Sequence, residues 1–170
     1  MAQGIPKLLV DYAWYADGQG KIGQATSVKL PNFQKVMEEF TAGGMAGHIN
    51  IDMGLFELMQ STVTMAEYDP QIIKLMRFRN GEERSFTFRG ALAGRGVAES
   101  LVVKMTAQLS GFDPEAIERK KQNTLELTLD ISTIKMERNG EVLVDIDIEG
   151  GKSIVGGVDM RAGINDALGI

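Results

Sequence analysis

The residues most suggestive of chemistry lie near the N-terminus. Gly18-Gln19-Gly20-Lys21-Ile22-Gly23 matches the G-x-G-x-x-G pattern of dinucleotide-binding folds. That pattern works only when a helix follows directly and its N-terminus holds the pyrophosphate. Here Ala25-Thr26-Ser27-Val28-Lys29-Leu30-Pro31 follows, an alternating segment stopped by proline, so a glycine-rich hairpin turn is expected. Gly43-Gly44-Met45-Ala46-Gly47 has no Lys-Ser/Thr to reach phosphates and magnesium, and reads as a flexible or closely packed loop. His48 is the only histidine and cysteine is absent, so no triad, His–Cys pair or Cys/His zinc site can be assembled. Asp145, Asp147 and Glu149 share one strand face. An extended strand spaces them about 7 Å apart, whereas calcium needs roughly six to eight oxygens from a folded loop. They read as a solvated or interface-facing acidic edge. The pattern gives no catalytic constellation, no cofactor site and no metal site.

Composition narrows the classes further. The net charge is −5, which argues against gripping nucleic acid by phosphate neutralisation. Met1–Pro6 lacks the basic stretch and apolar run of a signal peptide, and no apolar run approaches the roughly 18–20 residues of a membrane span. At 170 residues with 44% hydrophobic side chains, one domain spanning 1–170 with an ordinary core is expected.

The elements that position these residues are mostly strands, because period-two alternation dominates. Strands are predicted at Leu8–Tyr15, Ile22–Leu30, His48–Gly54, Leu58–Tyr68, Arg84–Ala93, Val97–Ser110, Thr124–Glu137 and Glu141–Glu149. Asn32–Gly47 breaks the alternation and reads as a long inserted loop over 32–47. Asp69-Pro70 is a helix start, with an apolar stripe at Ile72, Ile73, Leu75 and Met76 and a cap at Asn80-Gly81, predicting a helix over Pro70–Arg79. A second Asp-Pro pair, Asp113-Pro114, predicts one or two helical turns over Glu115–Lys121. In Thr124–Glu137 the apolar series changes parity between Ile131 and Ile134, which predicts a β-bulge at Ser132-Thr133. Asn139-Gly140 predicts a tight hairpin whose second strand buries Val142, Val144, Ile146 and Ile148. Ser153–Ile170 carries a short strand and a helical turn. The fold class is mainly β (α+β): two packed antiparallel sheets or a barrel-like sandwich with one short flanking helix.

Three stretches, in order and at similar spacing, resemble the major tail tube proteins of contractile-tailed bacteriophages. They are Ser27-Val28-Lys29-Leu30-Pro31; Thr41-Ala42-Gly43-Gly44-Met45 with Ile49-Asn50-Ile51-Asp52-Met53-Gly54-Leu55; and Glu137–Asp147 with Gly156-Gly157-Val158-Asp159 and Asn165–Ile170. Each is weak alone, and their colinearity over nearly the whole chain carries the resemblance. Phe112–Gln122 departs from it, being more helix-prone than the glycine-rich connection of the family.

The resemblance implies a structural subunit rather than an enzyme. It implies a homo-hexameric ring in which four strands from each copy join one continuous inter-subunit barrel. About 24 strands at about 4.8 Å spacing and about 40° tilt give a backbone barrel roughly 50 Å across. It further implies stacking of rings into a tube that conducts DNA during ejection without binding it specifically. The implied partners are tail sheath, baseplate and tail terminator proteins, with no membrane insertion, in a virion tail assembled in the host cytoplasm. A tube of a DNA-free contractile bacteriocin, injection device or type VI secretion apparatus is an alternative, and so is a monomeric small-ligand-binding β-barrel. On this reading Phe40, Gly43, Gly44, Met45 and Gly47 form a subunit interface. The lumen is lined by Ser27, Lys29, Gln60, Thr62, Thr64, Ser100, Lys104, Thr106, Gln108, Thr124, Glu126, Thr128 and Asp130, where two lysines offset two acids.

Overall fold

The computed structural model describes residues 6–21, 23–75, 82–94 and 96–169. The strands are β1 (Leu8–Ala16), β2 (Gln19–Gly20), β3 (Ala25–Lys29), β4 (Lys35–Phe40), β5 (Ile49–Phe56), β6 (Gln60–Met65), β7 (Arg84–Ala93), β8 (Glu99–Pro114), β9 (Leu125–Arg138), β10 (Glu141–Asp147), β11 (Lys152–Val155) and β12 (Val158–Asp159). The helices are α1 (Pro70–Leu75), between β6 and β7, and α2 (Ala162–Leu168), after β12. The predicted α1 over 76–79 and its cap at Asn80-Gly81 lie outside the described residues, as does Ile22.

Ten strands form one antiparallel sheet: eight run in the order β12-β11-β10-β9-β8-β7-β1-β2, β6 and β3 branch from β9, and β4 and β5 form a separate pair. The sheet does not close into a barrel within one copy. Two long strands change partners midway. The first half of β9 pairs with β6, which carries β3 on its other side; the second half pairs with β10. The first half of β8 pairs with β7, up to Ala107, while β9 runs along the whole of β8. The sheet thus splits into a wing of β1, β7, β8 and β10–β12 and a wall of β3, β6, the start of β9 and the end of β8. The two fold toward each other, since Tyr12 Oη on β1 donates to the Ala25 carbonyl on β3 at 3.0 Å.

Between them lies one core. Trp14, Val63, Met65, Val103, Met105, Leu125, Leu127, Leu129 and Ile134 are essentially inaccessible, and Ile72 of α1 seals the cluster. Trp14 stacks on Phe86, and Tyr12 on Phe88, as neighbouring strands present the same face. The bulge is where the alternation demands it. Thr106 pairs with Thr133 but Ala107 pairs with Ile131, so Ser132 is the extra residue, and Ile131 and Ile134 both reach the core. Asn139 (φ 49°) and Gly140 (φ 86°) both adopt the left-handed region, as a two-residue primed turn requires.

Three expectations are corrected. The segment 32–47 is not one loop: Lys35–Phe40 pairs with β5, and the unpaired turn is confined to the residues between Phe40 and Ile49. Asp113-Pro114 does not start a helix. It ends β8, with Asp113 opposite Glu126 and Pro114 opposite Leu125, because the long β9 offers backbone partners to that point. Ile148 lies beyond the end of β10 and is 47% exposed. The helical turn expected near the C-terminus is present as α2. It docks at the base of the hairpin, where Arg161 Nη1 donates to the Gly54 carbonyl at 3.3 Å. Gly54 sits at φ 67°, and a Cβ there would come within 2.5 Å of Ile164 Cδ1, so glycine is required twice over.

Candidate subunit interfaces and channel wall

The wall presents its apolar face to the core and a polar face outward. Side chains on that outer face fall into cross-strand rows. Ser27 pairs with Thr64, Thr64 with Glu126, and Glu126 with Asp113. Lys29 pairs with Thr62, Thr62 with Thr128, and Thr128 with Gly111. Asp130 stands between Gln60 and Gln108, and Gln60 Nε2 donates to Asp130 Oδ1 at 2.8 Å. Thr124 lies just ahead of β9, where its hydroxyl meets the Glu115 carboxylate.

Nine of the residues assigned to the lumen from sequence therefore form one contiguous patch: Ser27, Lys29, Gln60, Thr62, Thr64, Gln108, Glu126, Thr128 and Asp130. Ser100, Lys104 and Thr106 do not join it. They lie on the half of β8 that pairs with β7, opposite Ala91, Thr87 and Ser85. Sequence parity put all of β8 on one surface, but the strand passes from wing to wall near Ala107. One wall residue was missed. A register shift at Ser110 restores Asp113 to the outer face opposite Glu126, and its Asp-Pro context disguised it as a helix start. The patch thus holds one lysine (Lys29) against three acids (Asp113, Glu126, Asp130), two excess negative charges per copy rather than none.

Both edges of the wall are open. Among the described residues β3 pairs with β6 alone, and 108–114 of β8 pairs with β9 alone. Each edge leaves a row of backbone donors and acceptors without a strand partner.

The hairpin β4–β5 is exposed on both faces. Phe40, at the end of β4, pairs with Ile49 and is 46% exposed. Gly43, Gly44 (φ 87°), Met45 and Gly47 lie in the turn and are all exposed, with Met45 N–H bonding back to the Ala42 carbonyl at 3.2 Å. With Ile51, Met53 and Leu55, the hairpin presents large apolar side chains that a lone copy leaves in water. Lys35 meets Asp52, and this bond, with help from the Gly54 amide, holds the Asp52 carboxyl below its ordinary range.

The other candidates have plain structural roles. Gly18 (φ 77°) and Gly23 (φ 76°) are turn residues, and β3, not a helix, follows. His48 Nδ1 is 2.8 Å from Glu39 Oε1, with both side chains about two-thirds exposed. Asp145 pairs with Lys152 at 2.6 Å, and Asp147 accepts the Gly150 amide at 2.8 Å. Lys21, from the glycine-rich turn, is buried: its Nζ donates to Asp69 Oδ2 at 2.5 Å and Gln71 Oε1 at 2.6 Å. Burial pushes the Asp69 carboxyl up. The bonds from Lys21 and from the Gln71 and Ile72 amides outweigh it and leave the group below its usual range. The pair ties the turn before β3 to the start of α1.

A family model described as "Phage tail tube protein FII" matches residues 6–169. The chain belongs to that family. It is similar to the "Major tail tube protein" of Serratia phage KSP20, with 26% identity over 146 residues, covering 85% of this chain and 84% of the relative. Two solved structures from an extracellular contractile injection system share the fold of the tail tube chain. A sheath/tube terminator in the extended state aligns with a TM-score of 0.60 at 12% identity, covering 80% of this chain and 99% of the other. A sheath–tube complex in the extended state aligns with a TM-score of 0.58 at 13% identity, covering 81% and 93%.

Proposed function

We propose that this tail tube protein forms six-membered rings that stack into a hollow tube through which DNA passes. The observation that carries this reading is the wall with two open edges. β3, β6, β9 and β8 alternate in direction. The end of β8 in one copy is therefore antiparallel to β3 of the next, and the alternation continues unbroken around a ring. Closing the ring pairs both open edges of the wall, and open edges are the standard liability of such a sheet. The polar patch then faces the channel, while the wing faces outward and offers the surface for a sheath.

A channel with two excess negative charges per copy repels phosphate instead of binding it. In a barrel about 50 Å across, side chains leave a gap beside a duplex of about a Debye length, so this repulsion is felt at moderate salt. The apolar hairpin projects from the Lys29–Gln60 end of the wall, where a stacked ring is met, and its Phe40, Met45, Ile49 and Ile51 supply the contact. The role is structural and not enzymatic, with sheath, baseplate and terminator proteins as partners, and assembly takes place in the host cytoplasm before the tail is completed. Sedimentation across a concentration series tests the reading. A step from monomer to a six-copy species, followed by larger stacks, is expected. A monomer at every concentration refutes it.

A further inference from the structure

Phe112 is an anomaly of the wall. Its register partner Leu127 is 1% exposed in the core, so Phe112 is on the core-facing side, yet it is 48% exposed. The cause is that β7 pairs with β8 only as far as Ala107, so Phe112, farther along β8, stands at an open sheet edge. Among the described residues, the sandwich has an open mouth at the opposite edge of the same sheet. Between β1 and β3, and reaching over β7 and the start of β8, lies a cleft of about 810 Å³ lined by Tyr12 and by small residues such as Ala25 and Gly90, together with the charged Asp11, Arg89 and Glu99. The two features are an orphaned aromatic at one edge and a largely apolar opening at the other.

We propose that Phe112 of one copy fills the β1–β3 mouth of its neighbour in the ring. This rests on the ring reading above and names the lateral contact that locks it. When the end of β8 pairs with β3 of the next copy, side chains on the core side of both strands share a face. The core-facing residues of β3 are Ala25 and Val28, which pair with Met65 and Val63. Val28, Val63, Leu127 and Phe112 form one row across the wall, so pairing in the ring brings Phe112 to the core face of the neighbour's β3, the strand whose first residue, Ala25, lines the mouth. A second copy is the occupant the geometry selects, because the chain carries both halves of the contact at the two ends of one sheet. Tyr12 then meets an aromatic partner edge-on or stacked, as such pairs prefer.

The absence of cysteine allows a direct test. Phe112→Cys combined with Ala25→Cys cannot crosslink within a copy, since β9 and β6 separate the two positions by about 14 Å. Oxidation with diamide is expected to give a ladder of covalent oligomers ending at the ring. Phe112→Ala is expected to raise the concentration needed for ring assembly about 30-fold. It should leave the monomer's melting point nearly unchanged, and Phe112→Leu should restore most of the assembly. Rings formed by Phe112→Ala at the wild-type concentration, with no crosslinked ladder, overturn this contact but not the ring. A wild-type chain that never forms rings overturns both. A small apolar molecule co-purifying with the monomer and retained by Phe112→Ala assigns the mouth to a ligand and also overturns the proposal.

Discussion

Replacing Lys21 with methionine probes how the edge strand is held. Lys21 is 5% exposed and Asp69 7%, and no second cation stands beside Asp69 among its described bonds. Methionine keeps most of the volume and removes the charge, so the variant strands the carboxylate. Stranding one member of a buried pair costs about 3–5 kcal/mol. The lower end applies here, because an open groove along Gln24, Glu67 and Gln71 lets water reach the site and the Gln71 amide still donates at 2.7 Å. A loss of about 3 kcal/mol lowers the melting point of a chain this size by roughly 6–12 °C. The pH dependence has a definite sign. In the wild type the folded carboxyl titrates below its ordinary value of 3.8, so its contribution is present above that value and lost as pH falls through the lower, folded one. In the variant, burial without the lysine raises the folded value, so acid relieves the stranded charge. The stability gap between the two proteins should shrink as pH drops from 7 toward 3, read by urea denaturation of the monomer at each pH. Because Lys21 leads into β3 through the Gln24 N–H to Lys21 carbonyl bond of 3.2 Å, ring assembly should also weaken. A gap that stays constant with pH, or a loss under 1 kcal/mol, refutes the assignment of the pair as a buried clamp.

Other consequences are local. Gly140→Ala places a Cβ at φ 86° in the Asn139-Gly140 turn and should cost about 1–2 kcal/mol, measured by denaturant midpoint, with assembly retained. Phe40→Asp with Ile49→Asp, two half-exposed partners on the hairpin, should leave the monomer's stability within about 1 kcal/mol while rings fail to stack in sedimentation. Thr128→Arg, in the row between Thr62 and Gly111, should leave the fold intact and make tubes retain duplex DNA at low salt, with retention falling steeply as salt rises. Wild-type tubes should show no such retention.

What was legible in the sequence was local. The Asn139-Gly140 turn needs only two adjacent residues with a tolerance for positive φ. The Ser132 bulge follows from a parity change written in Ile131 and Ile134. β7 was bounded correctly at Arg84 and Ala93 because Phe86 and Phe88 alternate with Ser85 and Thr87. The hairpin β4–β5 was half hidden for a physical reason. Neither of its faces is buried in one copy, so no hydrophobic alternation marks Lys35–Phe40, and Glu38 and Glu39 stand where a core-packed strand shows contrast. Asp113-Pro114 shows the limit of start signals: an Asp-Pro pair caps a helix only where no strand claims the backbone first, and β9 claims it. The misplacement of Ser100, Lys104 and Thr106 has a non-local cause. Parity along β8 is intact as far as Leu109, but which surface a residue joins depends on whether β7 or an open edge lies beside it.

End-on electron microscopy of the purified protein at high concentration tests the central claim most directly. The account predicts rings of six copies around an open pore, within a backbone barrel about 50 Å across, and side views showing those rings stacked into tubes. Monodisperse single copies with neither rings nor tubes, or closed particles without a pore, would contradict it.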